Sequence, residues 1–229
     1  MTRADHQPHH RGAALLRVGT TALVLSVGAW LIHDGFTATH PPQPAAAAAA
    51  QPATAPTAPT ERPSQPHTPP TLTGPELPPS DPVRLRIPDI SVDAPFVPLG
   101  LDSRGELTTP PTGRRNVLGW YSGGTSPGAQ GTAVVVGHVD DSHGPAVLYR
   151  LGLLRPGHTI TVTRQDRRTA TFTVDAVRSH PKDGFPAQAV YAPTGRAELR
   201  VITCGGHYDP RTGYDANTVV YAHLTSVRP

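Results

Sequence analysis

Cysteine is nearly absent. Among 229 residues there is one, Cys204, which excludes an intrachain disulfide framework and any Cys-x-x-Cys zinc or redox pair. Large rings are scarce too: Phe, Trp and Tyr make up 5% of the chain, so any core must be mainly aliphatic. Charged residues reach 16%, and the chain lacks the Ala, Glu, Lys and Leu richness of a coiled coil. No basic run is present to track phosphates. The net charge of +3 comes from 20 basic against 17 acidic residues, so nucleic acid is not an expected partner. The stretch 123–131 is rich in glycine but lacks the Gly-Lys-Ser/Thr ending of a phosphate loop, so nucleotide is not expected either.

Proline (28 residues) and glycine (22) are abundant and unevenly spread. That unevenness divides the chain. Residues 1–12 are polar and carry Arg3 and Arg11; an apolar stretch lies within 13–36, and with Ala13–Leu16 included it is about 20 residues, long enough for one helix to cross a bilayer. Arginines precede it and few follow, which places 1–12 in the cytoplasm and everything beyond the span outside. The expectation is a single-pass membrane anchor with an extracellular domain; a cleaved signal peptide is the alternative, since the small residues around Ala38 and Ala45–Ala50 offer cleavage sites. Residues 37–80 are Pro, Ala, Thr and Gln with little else, too poor in apolar surface to offset the entropy of ordering, and are expected to form a disordered linker.

Residues 81–229 have another texture, with short β-branched runs separated by Gly, Pro, Asp and Asn. The clearest are 83–87, 132–138, 158–163, 169–178, 199–204 and 218–224, with weaker ones at 90–96 and 116–121. Seven or eight short strands predict an all-β fold, a barrel or sandwich, and closure would protect the edges of so Gly-rich a sheet. Helical signal is limited to a turn or two within 146–153 and 185–191.

Cys204 closes the apolar run Leu199–Cys204 and precedes Gly205 and Gly206, which let a substrate or another backbone approach. A lone cysteine is commonly a small core residue, but an exported thiol is exposed to oxidation and is usually avoided unless used. A thiol nucleophile needs a histidine for proton transfer and a donor for the developing oxyanion. The domain holds His138, His143, His158, His180, His207 and His223. His138 stands out because it follows Gly137 at the end of the strongest strand, as Cys204 does in its own run; His207 lies three residues from the thiol. A metal site from His138, Asp140, Asp141 and His143 has ligand-like spacing but no evident ligand from a second strand, so no metal is expected.

Gly137-His138-Val139-Asp140 and Val201-Ile202-Thr203-Cys204, in this order behind an apolar span and a Pro-rich stalk, resemble the sortases over residues 83–225. Gly205-Gly206 and the tail Asn217–Ala222 are most similar to the actinobacterial class F. The resemblance implies an eight-stranded sortase-like β-barrel with one or two short helices, a Cys, His and Arg at its rim, and no cofactor. It implies transpeptidation at an LPxTG-like sorting signal: Cys204 forms a thioacyl enzyme, His138 serves as acid/base, and an amine of a peptidoglycan precursor or a pilin releases the product. Thr203 and Gly205 match substrate-lining positions. The family's arginine lies ten to fourteen residues after the cysteine, where this chain reads Tyr214-Asp215-Ala216-Asn217; Arg211 is the only arginine in that loop and is the expected counterpart, with Arg200 in reserve on the face of Cys204's strand. The rival reading is a noncatalytic, stalk-displayed β-domain that binds cell-wall components, with Cys204 and His138 as packing residues.

Overall fold

Residues 40–45 and 76–229 are described by a computed structural model; the expected segments 1–12 and 13–36 and most of the Pro-rich stretch lie outside the described residues. The β-branched runs form β1 (Pro82–Ile87), β2 (Val92–Leu99), β3 (Leu118–Tyr121), β4 (Gly131–Val136), β7 (Thr159–Arg164), β8 (Thr169–Pro181), β9 (Ala197–Asp209) and β10 (Gly213–Arg228), with a small ribbon of β5 (Asp140–Asp141) and β6 (Gly144–Pro145) after β4. The eight longer strands close into a barrel in the order β1-β2-β3-β4-β9-β10-β8-β7. The pairs β2/β3 and β4/β9 are parallel and the other pairs antiparallel. The all-β, eight-stranded expectation holds. The two weak helical signals become a 3-10 turn at Leu151–Leu153 and a short helix, α1 (Ala187–Tyr191).

Alternation along each strand sends every second side chain inward. Leu85 and Ile87, Ala133 and Val135, Ile160 and Val162, Ala170 and Phe172, Leu199 and Val201, and Val220 and Ala222 meet in one buried cluster. Leu148, Leu151 and Leu154, from the segment leading into β7, join that cluster. Outward-facing Val134, Ile202 and Val219 form a second cluster with Val190 of α1, joined by Phe185, Tyr121 and Tyr221. The sheet is therefore covered on both sides here, and β9 is buried without a break from Ala197 to Thr203.

Two stretches of the Pro-rich segment pack on the barrel. At 76–80, the Leu77 N–H donates to the Gly128 carbonyl at 2.9 Å, and the fully buried Arg164 guanidinium donates to the Pro78 and Pro127 carbonyls. At 41–45, Pro41 is buried, Pro42 lies so close to Gly152 that a Cβ there would overlap its carbonyl oxygen, and Gln43 Nε2 stands 3.5 Å from the Gly206 carbonyl.

β9 runs longer than the sequence indicated. Gly205-Gly206 does not end the strand, because Cys204 lies inside a hairpin that continues to Asp209 and returns through β10. Gly206 and His207 of β9 sit against the single residue Asp215 of β10, a bulge between the Tyr214/Tyr208 and Ala216/Gly205 pairs. Gly206 has φ +83°, the left-handed conformation that such a bulge asks of glycine, and the His207 N–H donates to Asp215 Oδ1 at 2.7 Å.

Candidate active site

Cys204 shares the outward face of β9 with Ile202, by even spacing. β4 flanks it on one side: the parallel register ends at Val136 opposite Ile202, and two further contacts carry the alignment on. The Gly137 N–H donates to the Ile202 carbonyl at 3.2 Å, and Thr203 Oγ1 donates to the Gly137 carbonyl at 2.8 Å. His138, one residue later, stands at the register position of Cys204. Gly137 is needed for packing, since a Cβ there would come within 2.8 Å of both Leu118 and Leu148.

His138 is half-buried, and its Nε2 lies 2.8 Å from the buried Pro110 carbonyl. A carbonyl only accepts, so Nε2 carries the proton and the lone pair of the neutral ring sits on Nδ1. The main chain of His138 is held as well, with the Leu148 N–H donating to the His138 carbonyl at 3.1 Å.

On the other side of Cys204 lies β10, where Asn217 is its direct antiparallel partner, and beyond Asn217 comes His180 of β8. The segment just after β4 and the strands β9, β10 and β8 thus carry the row His138, Cys204, Asn217, His180. His180 Nε2 is 2.9 Å from the Tyr221 hydroxyl, and its ring meets Phe185 edge-on. Burial, assisted by the charge of Arg178, holds its pKa below the ordinary histidine value. Above the row, Tyr214 donates its hydroxyl to Asp140 Oδ2, tying the hairpin to the loop that follows His138. Burial, this hydrogen bond and the negative charge of Asp140 push the Tyr214 pKa up, so the phenol keeps its proton.

The expected residues separate into those the fold brings together and those it does not. Cys204 and His138 fall side by side when the β4/β9 register is carried two residues past Val136 and Ile202. Thr203 is buried and its hydroxyl is committed to Gly137, which fixes the strand beneath His138. Gly205 faces the same inner side, where a Cβ would strike Thr218 Oγ1. Arg211 is exposed at the hairpin tip, where its own N–H is bound by Asp209 at 2.7 Å; Asp209 is five residues beyond Cys204, about 17 Å at ~3.3 Å per residue. Arg200 is buried four residues before the thiol, donating to Glu198 at 2.6 Å and to the Val190 carbonyl at 2.9 Å, with its guanidinium 4.6 Å from the centre of the Tyr221 ring. Asp140 accepts from Tyr214, whereas Asp141 pairs with Arg115 at 3.3 Å and accepts from the His143 N–H. Neither Asn217 nor Tyr214 is a candidate site residue at the level of sequence, where they mark only the interval that lacks an arginine and, for Asn217, the start of the class F-like tail.

Further along the same outer face is a cavity of about 720 Å³, lined by Leu107, Tyr121, Val134, Phe185 and Tyr191 among others. It is mostly apolar and is built by the long loop after β2 together with the segment around α1, the kind of concavity that takes an extended side chain.

The family model for the sortase domain matches residues 85–225, and the chain belongs to the sortase family, a class of transpeptidases. No curated protein matches it. Among solved structures, a lid mutant of sortase A from Corynebacterium diphtheriae is similar at 20% identity, with a TM-score of 0.51 over 66% of this chain and 73% of that one. Sortase A of Listeria monocytogenes is 15% identical, with a TM-score of 0.49 over 65% and 89%. Sortase C-1 of Actinomyces oris is 22% identical, with a TM-score of 0.48 over 64% and 76%. At these identities the likeness is one of fold.

Proposed function

We propose that this domain is a cysteine transpeptidase of the class F type that cleaves an LPxTG-like sorting signal at the outer surface of a membrane and transfers the acyl group to a cell-wall or pilin amine. One observation carries the reading: the register of β4, β9 and β10 sets His138 and Asn217 on either side of the half-buried Cys204, above an apolar cavity on the same face. The Cys204 thiolate attacks the scissile carbonyl. His138, with Nδ1 as the free nitrogen, takes the thiol proton and returns it to the leaving amine as the thioacyl bond remains. The incoming amine then loses a proton to His138 and displaces the thiol. The 720 Å³ cavity receives the apolar part of the signal N-terminal to the scissile bond.

The test is incubation of residues 41–229, and of the same domain carrying Cys204→Ala, with quenched sorting-signal peptides and an amine acceptor, followed by mass spectrometry. The expected result is a thioacyl adduct on Cys204, an amine-linked product, and loss of both in Cys204→Ala. Cleavage that survives in Cys204→Ala, or no cleavage of any peptide by the intact domain, would sink the proposal.

A further inference from the structure

When a thiolate attacks a carbonyl, the S–C bond forms and the carbonyl π pair moves onto oxygen. A side-chain donor already aimed at that oxygen stabilises the intermediate without further reorganisation. Such a donor must lie on the outer face of the sheet within reach of Cys204. Arg200 is buried and committed to Glu198 and to Val190, while Arg211 belongs to the hairpin tip. His180 is engaged by Tyr221, and Arg178, set opposite Val219 and not opposite Asn217, lies over the Tyr221 ring at 5.7 Å from its centre. Asn217 remains, and its position is the closest of all: directly paired residues in an antiparallel ladder hold their Cβ atoms about 4.5–5.5 Å apart on one face. Its side chain is half-buried, and among the described residues no partner holds its carboxamide.

We propose that Asn217, through its carboxamide Nδ2–H, is the catalytic donor to the oxyanion formed on Cys204. The proposal rests on Cys204 being the nucleophile of the reading above and names the group that completes the site. The position is rigid, because β10 is paired along this stretch with β9 on one side and β8 on the other. It is also set by the bulge. Continuing the Tyr214/Tyr208 register without Gly206-His207 against Asp215 would bring Thr218 opposite Cys204 and turn Asn217 to the inner face. A neutral amide is a weaker donor than a guanidinium, so this site works with less charge on its oxyanion side than an arginine would provide. As the adduct collapses, the electron pair returns from oxygen, the C–N bond breaks, and the amine leaves with the proton from His138.

The experiment separates this role from recognition of any sorting signal. p-Nitrophenyl acetate acylates a reactive thiol through the same kind of tetrahedral adduct, so the burst of nitrophenolate is measured for the wild type, Cys204→Ala, Asn217→Ala, the isosteric Asn217→Asp and Arg211→Ala. The expected burst is Cys204-dependent and slower by ~10² to 10³ in Asn217→Ala, the usual loss for one oxyanion donor. It falls at least as far in Asn217→Asp, whose carboxylate only accepts and repels the negative oxygen. Labelling of Cys204 by a methanethiosulfonate reagent, which forms no oxyanion, keeps its wild-type rate in Asn217→Ala. An Asn217→Ala burst within threefold of wild type, a fall in Arg211→Ala in its place, or labelling slowed by the same factor as the burst overturns the proposal. A normal burst with no cleavage of sorting peptides overturns only the transpeptidase reading. A wild type without a Cys204-dependent burst overturns both.

Discussion

On the inner face of β4, β9 and β10, Ala133, Val135, Leu199, Val201, Val220 and Ala222 are all buried and apolar. On the outer face of the same strands, Glu198, Arg200, Cys204 and Asn217 are interleaved with Val134, Ile202 and Val219. Apolar burial is non-directional, so the inner face needs volume and little else. The outer face needs specific partners, and it divides lengthwise into a closed ion-paired end at Glu198–Arg200 and a reactive end at Cys204 where groups are left available. The same strands therefore carry one surface whose changes are read in stability and another whose changes are read, according to position, in stability or in turnover.

The sharpest way to break that division is at the reactive end. His138→Ala should lower kcat/KM by ~10² to 10⁴, while removal of its hydrogen bond to Pro110 costs only about 1 kcal/mol of stability. Melting temperature and single-turnover acylation measured on one preparation decide it; a collapse of the fold would move His138 to the structural side of the comparison. At the closed end the pattern should invert. Arg200→Ala removes one of the two guanidinium partners of Glu198, whose side chain is 5% exposed and which keeps Arg196 at 2.7 Å, and should cost about 1.5–3 kcal/mol in urea unfolding. The double variant Arg200→Met with Glu198→Gln should recover a large part of that loss, since no half-paired carboxylate remains. If Arg200→Ala were as stable as the wild type but slow in turnover, the division along this face would be wrong.

Gly206→Ala tests the link between the two ends of the hairpin. Its φ of +83° is costly for any side chain, by about 1–2 kcal/mol, and an added Cβ would overlap Asp215 Oδ1 and come within 2.8 Å of the Ala216 Cβ. Turnover should fall by more than the loss of folded protein explains, because the bulge decides which β10 residue faces the thiol. The smallest effect is acid sensitivity. Burial pushes the Glu198 carboxyl up, but the hydrogen bonds from Arg196 and Arg200 outweigh it and hold the pKa below the ordinary 4.5. The unfolded chain therefore takes up that proton first. The pair's stabilisation is fully present above about pH 4.5 and is lost as pH falls through the lower folded value. A plot of melting temperature against pH should be flatter in Glu198→Gln over that acid range; an unchanged slope would remove Glu198 from the account.

Much of this was legible because it is local. The runs at 132–138 and 199–204 announce strands, and one thiol beside a Gly-Gly pair directs attention to Cys204. His138 follows from its own strand in the same way. What could not be read was the pairing across the hairpin. A one-residue bulge at Gly206 exchanges Thr218 for Asn217 opposite the nucleophile, and alternation flips the whole returning strand with it. The interior fate of Arg200 was hidden for a different reason: two arginines seven and four residues from the thiol look alike as text, and only the segment around α1, arriving over the sheet with the Val190 carbonyl, separates a buried ion pair from a solvated turn. The docking of 41–45 was invisible because its composition is that of a linker.

That docked stretch also determines where mechanical load enters the barrel. A chain pulled from its N-terminal side would first transmit tension through Pro41–Ala45, onto Gly152 and the Gly206 carbonyl, and not through β1. One of these two points is the bulge that sets the partner of Cys204, two residues from the thiol. Only after that stretch peels away does the line of force move to Leu77 and Arg164.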